Sequence, residues 1–425
     1  MRRMILLAFV AALVLPADSQ QSTSITVEAL QEALATSESA HSADADVARQ
    51  LSGMVLTERL SAARLARLKA RLPGEKSQQA LVALADASVF LAPPAAEIPA
   101  NPRPDPAALH QMLASVVNYV NTTLRQLPNF MATRDTTRFE DRPLQDIQGE
   151  VGMTTLIYLP LHVVGRSNVL VTYRDGHEIL EKIPAKSNGG ESQERGLFTE
   201  GVFGPILSTV VGDALKGQIT WSRWEQEAKD AAAVFHYTVP KEKSHYSVGF
   251  CCVSIGKDNE AAKPEDWHSF AEVAAYHGEF AFDPASGAIL RITLESDMLP
   301  DEVVSKNGLM VDYGPVDIGG KSYICPVRSV SVLLAHTTKP PLGIHAPESY
   351  KGPAKTFLND AVFEKYRRFG SETRILPGNS AEPANNLPAP VPENPTSTTP
   401  QPPPVAPAES PKTTEISSLR GGSPS

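Results

Sequence analysis

Three tight-turn signatures, each set between strand-like runs, constrain this chain more than any other feature. Val169-Leu170-Val171-Thr172-Tyr173 leads through Arg174 into Asp175-Gly176 and His177, the strongest short hairpin signal a sequence offers. Phe280-Ala281-Phe282 and the run Ile289 to Leu294 flank Asp283-Pro284-Ala285-Ser286-Gly287. Met310-Val311-Asp312-Tyr313 and Tyr323-Ile324-Cys325-Pro326-Val327 flank Ile318-Gly319-Gly320. Strands joined by such short turns are antiparallel neighbours, because parallel strands need long crossovers. The region from Phe130 to about Thr337 is therefore expected to be an antiparallel sheet. Gly204-Pro205-Ile206-Leu207 starts a helix inside it, with proline suited to the first turn. Ile206, Leu207, Val210, Val211 and Leu215 can cover one sheet face, which makes the expected class α+β.

The preceding sequence has a different texture. Residues 20–92 read as a small bundle of three or four helices without a strand signal. Thr57-Glu58-Arg59-Leu60 opens an amphipathic segment carrying Leu60, Leu65 and Leu68, and Leu72-Pro73-Gly74 stops it. A further run, Gln79 to Leu91, follows, and short connections favour antiparallel helices. Residues 93–106 hold Pro93, Pro94, Pro99, Pro102, Pro104 and Pro106, a composition that reads as a semi-rigid linker. The α+β domain then spans 107–376 and opens on a helix from about Ala107 to Gln126. Its stripe is Leu109, Met112, Leu113, Val116, Val117, Val120 and Leu124.

Both ends of the chain are read as non-globular. Arg2 and Arg3, the 12-residue apolar run Met4 to Leu15, and Ala17-Asp18-Ser19 have the order of a cleavable signal peptide, residues 1–19. That run is short of the roughly 20 residues that cross a bilayer. The expected location is outside the cytoplasm: periplasm, outer envelope or extracellular. Residues 377–425 hold 13 of the 36 prolines and no aromatic residue, so they cannot bury enough apolar surface to offset ordering and are expected to be disordered. Removing Arg2, Arg3 and Asp18 takes the 39 basic and 48 acidic side chains to 37 and 47, a net charge of −10. That balance disfavours nucleic acid as a partner.

Several phrases carry a resemblance. Leu127-Pro128-Asn129-Phe130, Trp221-Ser222-Arg223-Trp224-Glu225, Tyr276-His277-Gly278-Glu279-Phe280, Asp283 to Gly287, and Val311-Asp312-Tyr313-Gly314-Pro315-Val316 are similar to a set of uncharacterised secreted proteins from acidobacteria. The strand-helix-strand layout over roughly residues 127 to 370 resembles the envelope lipoprotein-sorting carriers and receptors. This resemblance implies a strongly curved antiparallel sheet, half-open and barrel-like, wrapped around helices that cover an apolar cavity for acyl chains. The lipid-attachment cysteine of the receptors has no counterpart here, and no functional residue of the carriers is matched.

No motif assigns a reaction, a cofactor or a metal. His236, His245, His268 and His277 form no compact ligand spacing, and there is no C-x-x-C. Ser254-Ile255-Gly256-Lys257 has the S-x-x-K spacing of penicillin-recognising enzymes, but it ends a β-rich run where that chemistry needs a helix start. Asp301-Glu302 are adjacent carboxylates that point apart. Cys251 and Cys252 are neighbours on a strand and face opposite ways, so only one can meet Cys325; one bridge is expected in an oxidising compartment, and small buried hydrophobes are the alternative. Trp221 and Trp224, three apart on a strand, are expected on opposite faces, one in the core and one on a ligand surface or interface.

The expected function is non-enzymatic: a hydrophobic ligand or lipidated partner held between a helix wall, Ile206, Leu207, Val210 and Val211, and a sheet wall, Leu290, Ile292 and Leu294. A scaffold with a filled core is the alternative, and a hydrolase with a non-local site the second. One expectation is directly measurable. A chain ending at Leu376 should melt within about 5 °C of the full chain, because the tail has nothing to dock.

Overall fold

The computed structural model describes residues 22–148, 154–181, 196–197, 202–227, 230–254, 267–300, 302–336 and 354–369. All of them lie in the first of two compact units, Met1–Ser371, and the second, Glu372–Ser425, falls outside the described residues together with residues 1–21.

The N-terminal part runs β1 (Thr23–Ile25), α1 (Val27–Ser39), α2 (Asp44–Ser52), β2 (Met54–Leu56), α3 (Ala62–Lys69) and α4 (Glu75–Ala87). Thr26 caps α1 by accepting from the Ala29 N–H at 3.1 Å. Val27, Leu30, Leu34, Val47, Leu51, Leu68, Leu81 and Leu84 form its core. The strandless expectation is corrected here, since β1 and β2 pair in parallel. Three residues each are too few to show a two-residue period.

The α+β part runs α5 (Pro106–Gln126), β3 (Phe130–Gln148), β4 (Thr154–Arg174), β5 (His177–Glu181), β6 (Gly196–Leu197), α6 (Pro205–Ala214), β7 (Gln218–Glu227), β8 (Asp230–Val239), β9 (Ser247–Ser254), β10 (Trp267–Val273), β11 (Tyr276–Phe282), β12 (Ile289–Ser296), β13 (Val304–Asp317), β14 (Ser322–His336) and β15 (Ala354–Arg368). Ten strands form one antiparallel sheet in the order β5-β4-β3-β15-β14-β13-β12-β11-β8-β7, which is not closed into a barrel. A second sheet has the order β10-β9-β6.

Local chemistry accounts for the elements. Asp175 (φ 51°) and Gly176 (φ 85°) make the two-residue turn between the partners Arg174 and His177. Asp105 caps α5 by accepting from Ala108 N–H at 2.8 Å, with Pro106 in the first turn.

The large sheet is buried on both faces. On one, α5 and α6 lie over Phe130, Phe235, Phe280, Phe282, Ile292, Val311 and Phe363. On the other, Ala83 and Val89 meet Phe139, Met310, Val330, Val332 and Leu358. The proline-rich segment joins the two helical layers and is no free spacer: Pro93 and Pro94 are buried, and the Pro102 carbonyl accepts from Trp224 Nε1 at 2.9 Å. Because β7 ends the sheet, this strap runs beside an edge strand, where an exposed backbone invites unwanted pairing.

Among the register shifts in the described sheets, three β-bulges bear on which way the named side chains face. Trp221 pairs with Phe235 and Arg223 with Val234, leaving Ser222 as the extra residue. Leu290 is likewise passed over between the pairs Ala281–Arg291 and Phe282–Ile289, and Val164 between Arg138–Gly165 and Phe139–Val163.

Gly287 is required twice, by its φ of 75° and because a Cβ there would lie 2.5 Å from the Ser115 carbonyl group of α5. Gly176 has open space around it. Gly287→Ala should cost about 1–3 kcal/mol in urea unfolding, whereas Gly176→Asn, a residue suited to positive φ, should cost less than about 1 kcal/mol.

Candidate functional site

The apolar walls expected from sequence come together with corrections. Ile206, Leu207, Val210 and Val211 of α6 and Ile292 and Leu294 of β12 share one cluster. Val210, Ile292 and Leu294 have 0% of their surface accessible to water, so no water-sized space adjoins them. Leu290 belongs to the opposite face, beside Ala232, Val234 and Ala281, because the bulge at that residue inverts the alternation. Leu215 is exposed rather than part of the stripe.

Trp221 and Trp224 are also corrected. They share a face, with ring centroids 5.1 Å apart, because the bulge at Ser222 shifts their phase. Aromatic contacts run on to Phe235 at 5.7 Å and from Phe235 to Phe282 at 5.5 Å. Such offset and edge-on pairs add to the burial term.

Asp213, near the end of α6, fastens that helix to the sheets. Its buried carboxylate accepts from the His245 backbone N–H at 2.7 Å and from the Tyr276 hydroxyl at 3.0 Å, and His245 Nδ1 lies 2.6 Å away. Burial, then Asp213, pushes the Tyr276 hydroxyl well above its ordinary value. Sequence spacing did not reveal this group.

The other histidines do not converge on it. His236 and His277 have ring centroids 6.2 Å apart, and His277 Nδ1 is 2.8 Å from Asp297. The His268 side chain, residues 255–257 of the S-x-x-K stretch and Asp301 lie outside the described residues. No group of three or more metal-capable side chains occurs among the described residues.

Cys325 is a free, buried thiol on β14, pushed up to about 12 by burial. The expected bridge is therefore not formed at Cys325. Cys251 and Cys252 follow one another on β9, and their side chains lie outside the described residues.

The opposite face of the sheet holds an ion network that no motif announced. Glu225 is 2% exposed and bonds Arg59, Arg223 and Arg291, with Arg59 at 2.6 Å. Arg223 also reaches Glu279 at 2.6 Å. Burial alone would raise the Glu225 carboxyl, but Arg291, Arg59 and Arg223 outweigh it and hold it at about 2. The bulge that brings the two tryptophans together is also what sends Arg223 and Glu225 to this side. A few strands away, Arg328 bonds Asp86 of α4 and Asp360 of β15. Burial would lower the Arg328 guanidinium, but Asp86 and Asp360 raise it.

A surface pocket of about 250 Å³ lies on the N-terminal helices, lined by Leu34, Val47 and Leu72 with Glu38, His41 and Arg71. Arg71 and Glu38 are already paired with each other.

Glu225→Ala would remove the buried carboxylate that Arg59, Arg223 and Arg291 share, and unfolding should show a loss of about 3–5 kcal/mol. In the unaltered protein the Glu225 contribution, about 3 kcal/mol, is present above pH 4.5 and lost as the pH falls through about 2. Compared with known proteins, the chain matches no family model, no curated protein and no solved structure.

Proposed function

We propose that this is an exported, non-enzymatic protein that holds an apolar chain, free or attached to a partner, between its large sheet and the helices α5 and α6. The observation that supports the reading is the make-up of that interior. Phe130, Phe203, Phe235, Phe280, Phe282 and Phe363 line one apolar layer, and two helices of the same unit cover it. The cover is uneven: α6 is tightly enclosed, while α5 buries Val116 and Val120 but leaves Leu109, Met112, Leu113 and Val117 only partly buried. On this reading the sheet is strongly curved, the described form is closed, and α5 yields when a ligand enters. Replacing side-chain contacts on an aromatic face by acyl-chain contacts conserves most of the buried apolar area, so exchange costs little per residue.

A second reading rests on a different observation. Val210, Ile292 and Leu294 abut no free space, which is what a scaffold with a filled core requires.

Titration with a fluorescent fatty acid separates the two. A carrier gives saturable binding, displacement by unlabelled lipid, and a shift in tryptophan emission, because Trp224 is hydrogen-bonded to the strap that leads into α5. Absence of binding at tens of micromolar, or binding only after partial unfolding, assigns the scaffold role.

A further inference from the structure

We propose that docking of the N-terminal helices onto the sheet takes up one proton, held by Asp86 among the carboxylates that face it, so that the contact is a latch that loosens as the pH rises. The geometry sets this up. Asp86 lies in α4 with no accessible surface. One carboxylate oxygen bonds the Arg328 guanidinium, and the other, Oδ2, makes no hydrogen bond with the protein. Arg328 is shared: its Nε donates to Asp360 at 2.9 Å, and Asp312 is its cross-strand partner. Three carboxylates, on α4, β13 and β15, thus surround a single guanidinium.

Among the described residues the neighbouring cations are shared with other carboxylates. Arg291, the partner of Asp312 on β12, bonds Glu225, as do Arg59 and Arg223, and Arg223 also serves Glu279. Among the described residues, four guanidiniums, Arg59, Arg223, Arg291 and Arg328, therefore face five carboxylates, Asp86, Glu225, Glu279, Asp312 and Asp360. One proton makes the assembly neutral. Asp86 Oδ2 is the place where it converts an unmatched acceptor into a hydroxyl. Electrostatics point the same way: burial pushes Asp86 up to about 8 against the pull of Arg328, with Asp360 and Asp312 pushing upward too. Burial also raises Asp312, opposed by Arg291 and Arg328.

The sign of the pH effect follows. Undocked, Asp86 titrates at the ordinary carboxylate value of 3.8, and docked at about 8. Docking is fully favoured below the lower value and weakens by up to about tenfold per pH unit between the two. Above the upper value the loss stops.

Hydrogen exchange of the α4 amides in the full chain, corrected for intrinsic rates, tests this between about pH 5 and pH 8. Protection should fall by up to about tenfold per pH unit in the wild type and stay level in Asp86→Asn. Infrared spectra should show a protonated-acid band near neutral pH that Asp86→Asn removes and that Asp312→Asn makes titrate at lower pH. Level protection in the wild type, or a pH dependence that survives in Asp86→Asn, overturns the proposal. Should Asp86→Asn fail to fold, the wild-type and Asp312→Asn spectra decide: no acid band near neutral pH, or a band indifferent to Asp312, overturns it.

Discussion

Glu225 sits among Arg59, Arg223 and Arg291, and through them it joins the N-terminal segment to β7 and β12. Removing any such charge from water is costly, and the cost is recovered only when the partners arrive in good geometry. The helical layer on that face is therefore held by a contact that tolerates little displacement. Arg328, bridging α4 to β15 through Asp86 and Asp360, fixes the same layer at a second point. Two separated joints to buried guanidiniums set the orientation of the layer, while the apolar contacts of Ala83 and Val89 supply non-directional attraction.

The two faces of the sheet consequently differ in kind. The α4 face is tied by directional charges, whereas the α5 and α6 face is held by aromatic and aliphatic contact, with Asp213 as a polar anchor for α6. A cover held mainly by shape and area can be exchanged for another apolar surface. A cover held by buried ions cannot be exchanged without unpaired charge. This asymmetry is why the aromatic face is the one proposed for ligand binding.

What sequence reasoning recovered follows from the range of each signal. Asp175-Gly176 and Asp283 to Gly287 specify turns with local dihedral chemistry, so the hairpins they join were legible. Pro205 and Asp105-Pro106 marked helix starts in the same way. The bulges at Ser222 and Leu290 were not legible, because an extra residue in a ladder depends on the partner strand and has no composition of its own. Each inverted an alternation and misplaced Leu290 and the Trp221–Trp224 pair. The ion network spans Arg59 to Asp360, too far for any spacing rule. Its one local trace is a charge inside an apolar run, as in Leu84-Ala85-Asp86 and Val311-Asp312-Tyr313.

The position of β15 has a consequence for how the chain is made. It lies between β14, its predecessor, and β3, more than two hundred residues upstream; Thr133 and Glu364 are 231 residues apart. During synthesis the sheet can exist only as two fragments, β3 to β5 and the group β7, β8 and β11 to β14, until the strand that joins them emerges. Pairings of such long range are slow to form because loop closure precedes any gain. On the proposed export route that delay would be an asset: the polypeptide would stay loose until its last strand had crossed.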